Sequence, residues 1–154
     1  LPDFKQKTVQ IGYLARTANL LGITTPKIAC IAPSEQLLPN VISSTEGALL
    51  AKMADRGQLG NVIVDGPLSL DVALYKEVAE HKKVKGSSVA GDPDCLLFPN
   101  LESANVFFKS VSHLCGGELA AMVMGTKVPC VLTSRGDTSK TKLFSIALAC
   151  LAAK

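Results

Sequence analysis

The sequence predicts an α/β fold in three layers: a mostly parallel sheet with one antiparallel strand, and helices on both faces. Two observations carry this. Short apolar runs alternate with amphipathic stretches of helical length, the pattern of strand–helix–strand units. One pair of apolar runs, AAMVMG (120–125) and CVLTS (130–134), is separated only by TKVP. That link is too short for a parallel crossover, so neighbouring strands there must run in opposite senses.

The elements follow in order. Residues 3–21 carry Val9, Leu14, Ala18 and Leu21 near helical spacing and stop at Gly22, and KIACIA (27–32) is a short apolar strand. Ser43 with Glu46 three residues on reads as a capping box for the helix STEGALLAKMADR, which Gly57 closes in a left-handed turn. NVIVDGP is a strand running into a turn, followed by one helix through LDVALYKEVAEHKK. CLLFPN repeats the scheme ahead of the helix ESANVFFKSVSHL, and a last helix starts at about Ser139. If AAMVMG is the reversed strand, CVLTS is parallel to the others, and the turns holding Asp65, Asn100 and Arg135 face one crevice at the carboxyl edge of the sheet.

Composition narrows the function classes. With 154 residues, 47% hydrophobic and 19% charged, the chain has the material for one core. A net charge of +3 from scattered basic residues argues against nucleic acid. Five cysteines, odd in number, in apolar settings and without a CxxC pair, read as buried free thiols of a reducing cytoplasm. No apolar run has a membrane helix's length and no signal peptide opens the chain. The first residue is Leu1 and a helix begins at once, so a fragment or a processed product is expected. His81 and His113 belong to no metal-spaced set; both read as structural.

The stretch VLTSRGDTSK delivers Ser134, Arg135, Gly136 and Asp137 from an apolar run straight into a helix. A guanidinium is costly to desolvate, so at such a turn it either reaches back to water or awaits an anion.

The segments MADRGQL, VIVDGPLSLDVAL, LLFPNLESANVFFKSV and PCVLTSRGDTSKTKLFSIALA, in this order, resemble the C-terminal half of phosphate acyltransferases, above all the phosphate butyryltransferase branch beside phosphate acetyltransferase. The resemblance covers nearly the whole chain. It implies a second domain of the isocitrate/isopropylmalate dehydrogenase type over 1–133, and a segment, 134–154, that returns to an absent first domain. It also implies a cytoplasmic homodimer that converts acyl-CoA and phosphate into acyl phosphate and CoA, with butyryl or another short acyl chain. The site would lie in the interdomain cleft, with no metal and no tightly bound cofactor; coenzyme A is a substrate.

That chemistry needs a thiolate, a polarised carbonyl and a holder for a dianionic phosphate. Arg135 suits the phosphate, because its planar fork binds oxygens bidentately and does not titrate. Gly136 and the free N–H groups of the last helix would assist. Ser134 can donate to a developing oxyanion or to the thiol. The base is open: the acetyl branch has an aspartate seven residues after the serine, and here that place is Thr141. Asp137 takes the role, or it caps the helix and solvent deprotonates the thiol in the field of Arg135 and the helix terminus. Asp65 either holds Arg135 or a substrate amide, or ends its strand. Asn105 and Lys109, four apart on one helical face, are candidates for a phosphate or pantetheine amide, with a solvated lysine as the plain alternative. Ala104 stands where the family usually has glycine, which would narrow the site. HKKVK is a CoA 3′-phosphate candidate or simply a solvated run. A folded module that binds CoA and phosphate and dimerises without catalysis is the second reading. In Leu143, Ile146, Ala147, Cys150 and Leu151 the last helix has an apolar stripe that the family arrangement would bury against the first domain.

Overall fold

The computed structural model describes residues 1–153. Asp3 starts the first helix, α1 (Phe4–Leu20): its carboxylate accepts from the Gln6 N–H at 2.7 Å, and the Gln6 side chain accepts from the Asp3 N–H at 2.9 Å. This reciprocal capping box satisfies two backbone donors that the helix leaves free. At the other end Gly22, at φ +92°, turns the chain so that the Ile23 N–H reaches the Ala18 carbonyl. The next helix, α2 (Ile42–Asp55), ends the same way through Gly57, with Gln58 N–H donating to the Met53 carbonyl at 3.0 Å.

Three parallel strands, β1 (Lys27–Ile31), β2 (Ile63–Leu68) and β3 (Cys95–Leu97), form a sheet in the order β2-β1-β3. Successive residues of β1 serve opposite faces. Ile28 and Cys30 join Ile11 of α1, Leu50 and Ala54 of α2, and Val64 and Leu97 in one buried cluster. Ala29 joins Leu68, Val72, Ala73, Ala79 and Val89 in another, which α3 (Leu70–Leu74) and α4 (Lys76–His81) cover. Each fully buried leucine or isoleucine is worth about 1.5 to 3 kcal/mol, so two cores of this kind hold the three layers together.

Several local expectations change. Ser43 does not cap α2; Val41 is the N-cap residue, and its side chain makes no capping bond. Ser44 is buried instead, accepting from Leu38 N–H and donating to the Gln36 carbonyl, while Glu46 pairs with Lys7 of α1. DGP is not a turn after the strand. β2 runs on through it to Leu68, and the register slips between Ala29↔Asp65 and Ile31↔Leu68, so the stretch around Gly66 and Pro67 is a bulge. A bulge is where a strand tolerates a proline, which brings no N–H to the ladder. The expected single helix after it is two, because Tyr75 lies in extended backbone.

The chain forms two compact units, Leu1–Leu101 and the rest from Glu102 onward. The second contains nearly all of α5 (Leu101–His113) and all of α6 (Ser139–Ala152). Between them AAMVMG and CVLTS meet only in the antiparallel bridge Val123↔Cys130. Their sense is as expected, but no ladder extends from the bridge and CVLTS joins no parallel sheet. Pro129 lacks a donor, and Val128 and Leu132 are exposed, so neither hydrogen bonds nor burial support a longer strand. Ser145, fully buried, fixes this segment to α6: it donates to the Thr141 carbonyl at 2.7 Å and accepts from the Ala121 N–H at 2.9 Å.

The stripe of α6 is exposed throughout, at Leu143, Ile146, Ala147, Cys150 and Leu151. The cysteines also depart from expectation: all are free, but only Cys30 is buried, while Cys115 and Cys150 are exposed. Among the described residues no helix is long and apolar enough to cross a membrane.

Candidate active site

The candidate residues of the second unit converge on the loop that enters α6. Thr138, not Asp137, is the N-cap of that helix; its hydroxyl accepts from the Thr141 N–H at 3.1 Å. Asp137 is thereby released to bond backward. Its Oδ2 accepts from the Ser134 N–H at 2.7 Å, and its own N–H donates to the Ser134 carbonyl at 3.1 Å. Two bonds between one pair of residues close the turn, leaving Arg135 and Gly136 at its tip. The signal for this was legible as Ser-x-x-Asp, the spacing of a capping box set one turn ahead of the helix.

Asn105 and Lys109 lie one turn apart on α5. Lys109 Nζ stands 3.9 Å from Asp137 Oδ1 and 5.3 Å from the centre of the Phe108 ring. The structure thus brings Lys109, Ser134 and Asp137 together. Asp137 is nearly enclosed, its side chain 9% exposed, whereas Ser134, Arg135, Gly136 and Asn105 are exposed. Among the described residues Arg135 forms no ion pair. An uncompensated guanidinium at a turn tip, just ahead of the free N–H groups of a helix start, is suited to an anion. A cavity of about 390 Å³ opens beside it, with His113, Glu118, Gly136, Asp137, Thr138 and Thr141 in its wall.

Asp65 belongs to the first unit, mid-strand in β2 rather than at its end. One of its oxygens accepts from the Gly66 N–H at 2.8 Å, and its charge helps to raise the Cys30 thiol. Asn100 lies between β3 and α5, also in the first unit. Asp71 pairs with Lys82, whose ammonium lies 2.9 Å from Asp71 Oδ2 and 3.6 Å from Glu35 Oε2. Lys82 of the HKKVK run is thus engaged with carboxylates. The Lys7–Glu46 pair is not legible in the sequence, since nothing local to either residue announces a partner on another helix.

The chain is similar to known proteins over nearly its whole length. The family model described as phosphate acetyl/butaryl transferase matches residues 2–150. A phosphate butyryltransferase of Clostridium beijerinckii is 44% identical over 152 residues, 99% of this chain and 50% of that protein. A phosphate acetyltransferase of Thermotoga maritima is 42% identical over 147 residues, 96% of this chain and 50% of that protein. The crystal structure of a branched-chain phosphotransacylase from Enterococcus faecalis superposes with a TM-score of 0.89 at 30% identity, over 99% of this chain and 54% of that one. The chain spans about half the length of the curated relatives it matches. Matched by the family model over residues 2–150 and 42 to 44% identical to these relatives, the chain belongs to the phosphate acetyl/butaryl transferase family.

Proposed function

We propose that this chain is the catalytic C-terminal part of a phosphate acyltransferase that interconverts acyl-CoA plus phosphate with acyl phosphate plus CoA, on butyryl or another short acyl group. The observation that carries the reading is Arg135, exposed and without a carboxylate partner among the described residues, at the tip of a turn that precedes a helix start. In the forward direction a phosphate oxygen attacks the thioester carbonyl, the carbonyl oxygen takes up negative charge, and the CoA thiolate leaves as the acyl–oxygen bond is completed. Arg135 and Gly136 hold the phosphate, and Ser134 donates to the oxyanion or to the thiol. Solvent takes the thiol proton in the reverse direction, under the field of Arg135 and the α6 terminus. Asn105, Lys109 and Asp65 are proposed as substrate contacts.

The domain reading extends this. Residues 1–133 form the second domain and 134–154 return to a first domain, against which the exposed α6 stripe would pack; the working enzyme is a cytoplasmic homodimer. Support comes from the shared length, about half of each relative, and from the exposure of Leu143 at 62% and Ile146 at 55%. On this reading the 154-residue chain folds but does not turn over, because one wall cannot position two reactants.

The test is Arg135→Ala in the protein carrying both domains, with steady-state kinetics in both directions. Losing a charge-assisted contact of about 1.5 to 3 kcal/mol raises the KM for phosphate and acyl phosphate about 10- to 150-fold and changes that for CoA far less. Unchanged phosphate kinetics would remove Arg135 from the site. Phosphate-dependent thiol release by the 154-residue chain at the intact enzyme's rate would sink the domain reading.

A further inference from the structure

The geometry points to Asp137 as a positioning residue: its carboxylate clamps the Ser134–Arg135–Gly136 turn, with Lys109 of α5 set against it, and it does not serve as the base. This rests on the function proposed above. Both carboxylate oxygens are engaged. Oδ2 holds the Ser134 N–H at 2.7 Å, and Oδ1 faces the Lys109 ammonium at 3.9 Å. Protonation of Asp137 would weaken its hold on the Ser134 N–H and on Lys109, and with its side chain 9% exposed it offers little surface to a substrate. Besides the carboxylate, the turn keeps the backbone bond from Asp137 N–H to the Ser134 carbonyl at 3.1 Å, which leaves the Ser134 N–H itself to the carboxylate alone. Gly136 N–H lies 3.4 Å from the Ser134 hydroxyl, at the weak limit of a hydrogen bond, and Arg135 has no ion-pair partner among the described residues. Gly136 has room for a β-carbon, so crowding does not fix the turn either. The Asp137–Ser134 pair is therefore what sets where Arg135 starts from, and pre-set geometry of this kind lowers the cost of binding. Lys109 ties the turn to α5, on which Asn105 stands one turn earlier.

The discriminating variants are Asp137→Asn and Asp137→Ala. Asparagine keeps an oxygen for the Ser134 N–H but cannot act as a base; alanine loses both functions. In the protein carrying both domains, Asp137→Asn should keep turnover within about tenfold of wild type and preserve the shape of the pH–rate profile. Asp137→Ala should raise the phosphate KM by about 10- to 100-fold, the range of one charge-assisted hydrogen bond. In the 154-residue chain, the Ser134 amide proton should move upfield in the alanine variant and stay near its wild-type shift in the asparagine variant, as read by NMR. If Asp137→Asn abolishes turnover as fully as alanine and the acid limb of the profile disappears, Asp137 is the base and the inference falls. It falls equally if alanine leaves the Ser134 amide and the phosphate KM unchanged. The NMR arm needs no turnover, so an inactive wild-type enzyme would count against the functional reading, with the amide shifts still deciding whether the clamp exists.

Discussion

A β-carbon added to Gly66 would stand 2.6 Å from the Cys30 Cβ and 3.1 Å from the Cys30 carbonyl oxygen. Strand β2 bulges at this point, and α2 presses on it from Gly47, whose own added β-carbon would meet Pro67 Cα at 3.3 Å. Gly66→Ala should therefore cost about 1 to 3 kcal/mol of stability through overpacking against backbone that cannot yield. Denaturant unfolding of both proteins measures it; a midpoint equal to wild type would show that the bulge relaxes freely.

Thiol reactivity should separate the cysteines by burial. Burial foremost, and then the charge of Asp65, push the Cys30 thiol up to about 12, while the Lys7 ammonium pulls weakly the other way. Cys95 rises to about 11, again chiefly by burial. At pH 8 the thiolate of Cys30 is about one molecule in ten thousand, so alkylation should mark exposed Cys115 and Cys150 and leave Cys30 untouched until the protein unfolds. The sign for stability follows from a raised value. The contribution is fully present below the ordinary thiol value of 9.0 and is lost as pH climbs through about 12. Mass spectrometry of the native protein after timed alkylation decides; early labelling of Cys30 would contradict its burial.

Lys7 and Glu46 join α1 to α2, with side chains only 6% and 17% exposed. Removing Lys7 leaves the partly buried Glu46 carboxylate without its partner, so Lys7→Met should destabilise by about 1 to 3 kcal/mol. The double variant Lys7→Met/Glu46→Leu should recover most of that, because neither charge then remains. A double-mutant cycle by chemical unfolding reads the coupling, and purely additive losses would show that the pair contributes nothing.

Asp71 should respond to acid differently from an ordinary carboxylate. The Ser69 hydroxyl first, and the Lys82 ammonium next, hold its carboxyl down at about 2 from an ordinary 3.8. A lowered value means that the contribution to stability is complete above the unfolded value near 3.8 and is lost as pH falls toward 2. Lys82→Ala should move the titration of Asp71 back toward 3.8, as followed by carboxyl-carbon NMR; no movement would remove Lys82 as a cause.

What the sequence determined by itself was the succession of elements and the place of the site turn. Apolar spacing is a local property, so KIACI, CLL and the helices from Phe4, Leu101 and Ser139 were readable from their own residues. The same holds for SRGD, since its position between an apolar run and a helix needs no distant partner. Where a distant partner decides, the local reading failed. Glu46 has the spacing of a capping residue for Ser43, but an ammonium 39 residues earlier in the chain competes for it and wins. DGP has the composition of a turn, yet parallel pairing with β1 keeps it extended, because Ala32 N–H and the Leu68 carbonyl bond across at 2.9 Å beyond the bulge. AAMVMG and CVLTS have strand composition, and with no residue of either fully buried they close into one bridge. Asp137 shows both kinds of information in one residue: its spacing from Ser134 is local, whereas its enclosure beside Lys109 exists only once α5 and the α6 turn have packed together. Hydrogen-bond competition and burial depend on which groups arrive from far along the chain, and only the folded structure brings them within reach.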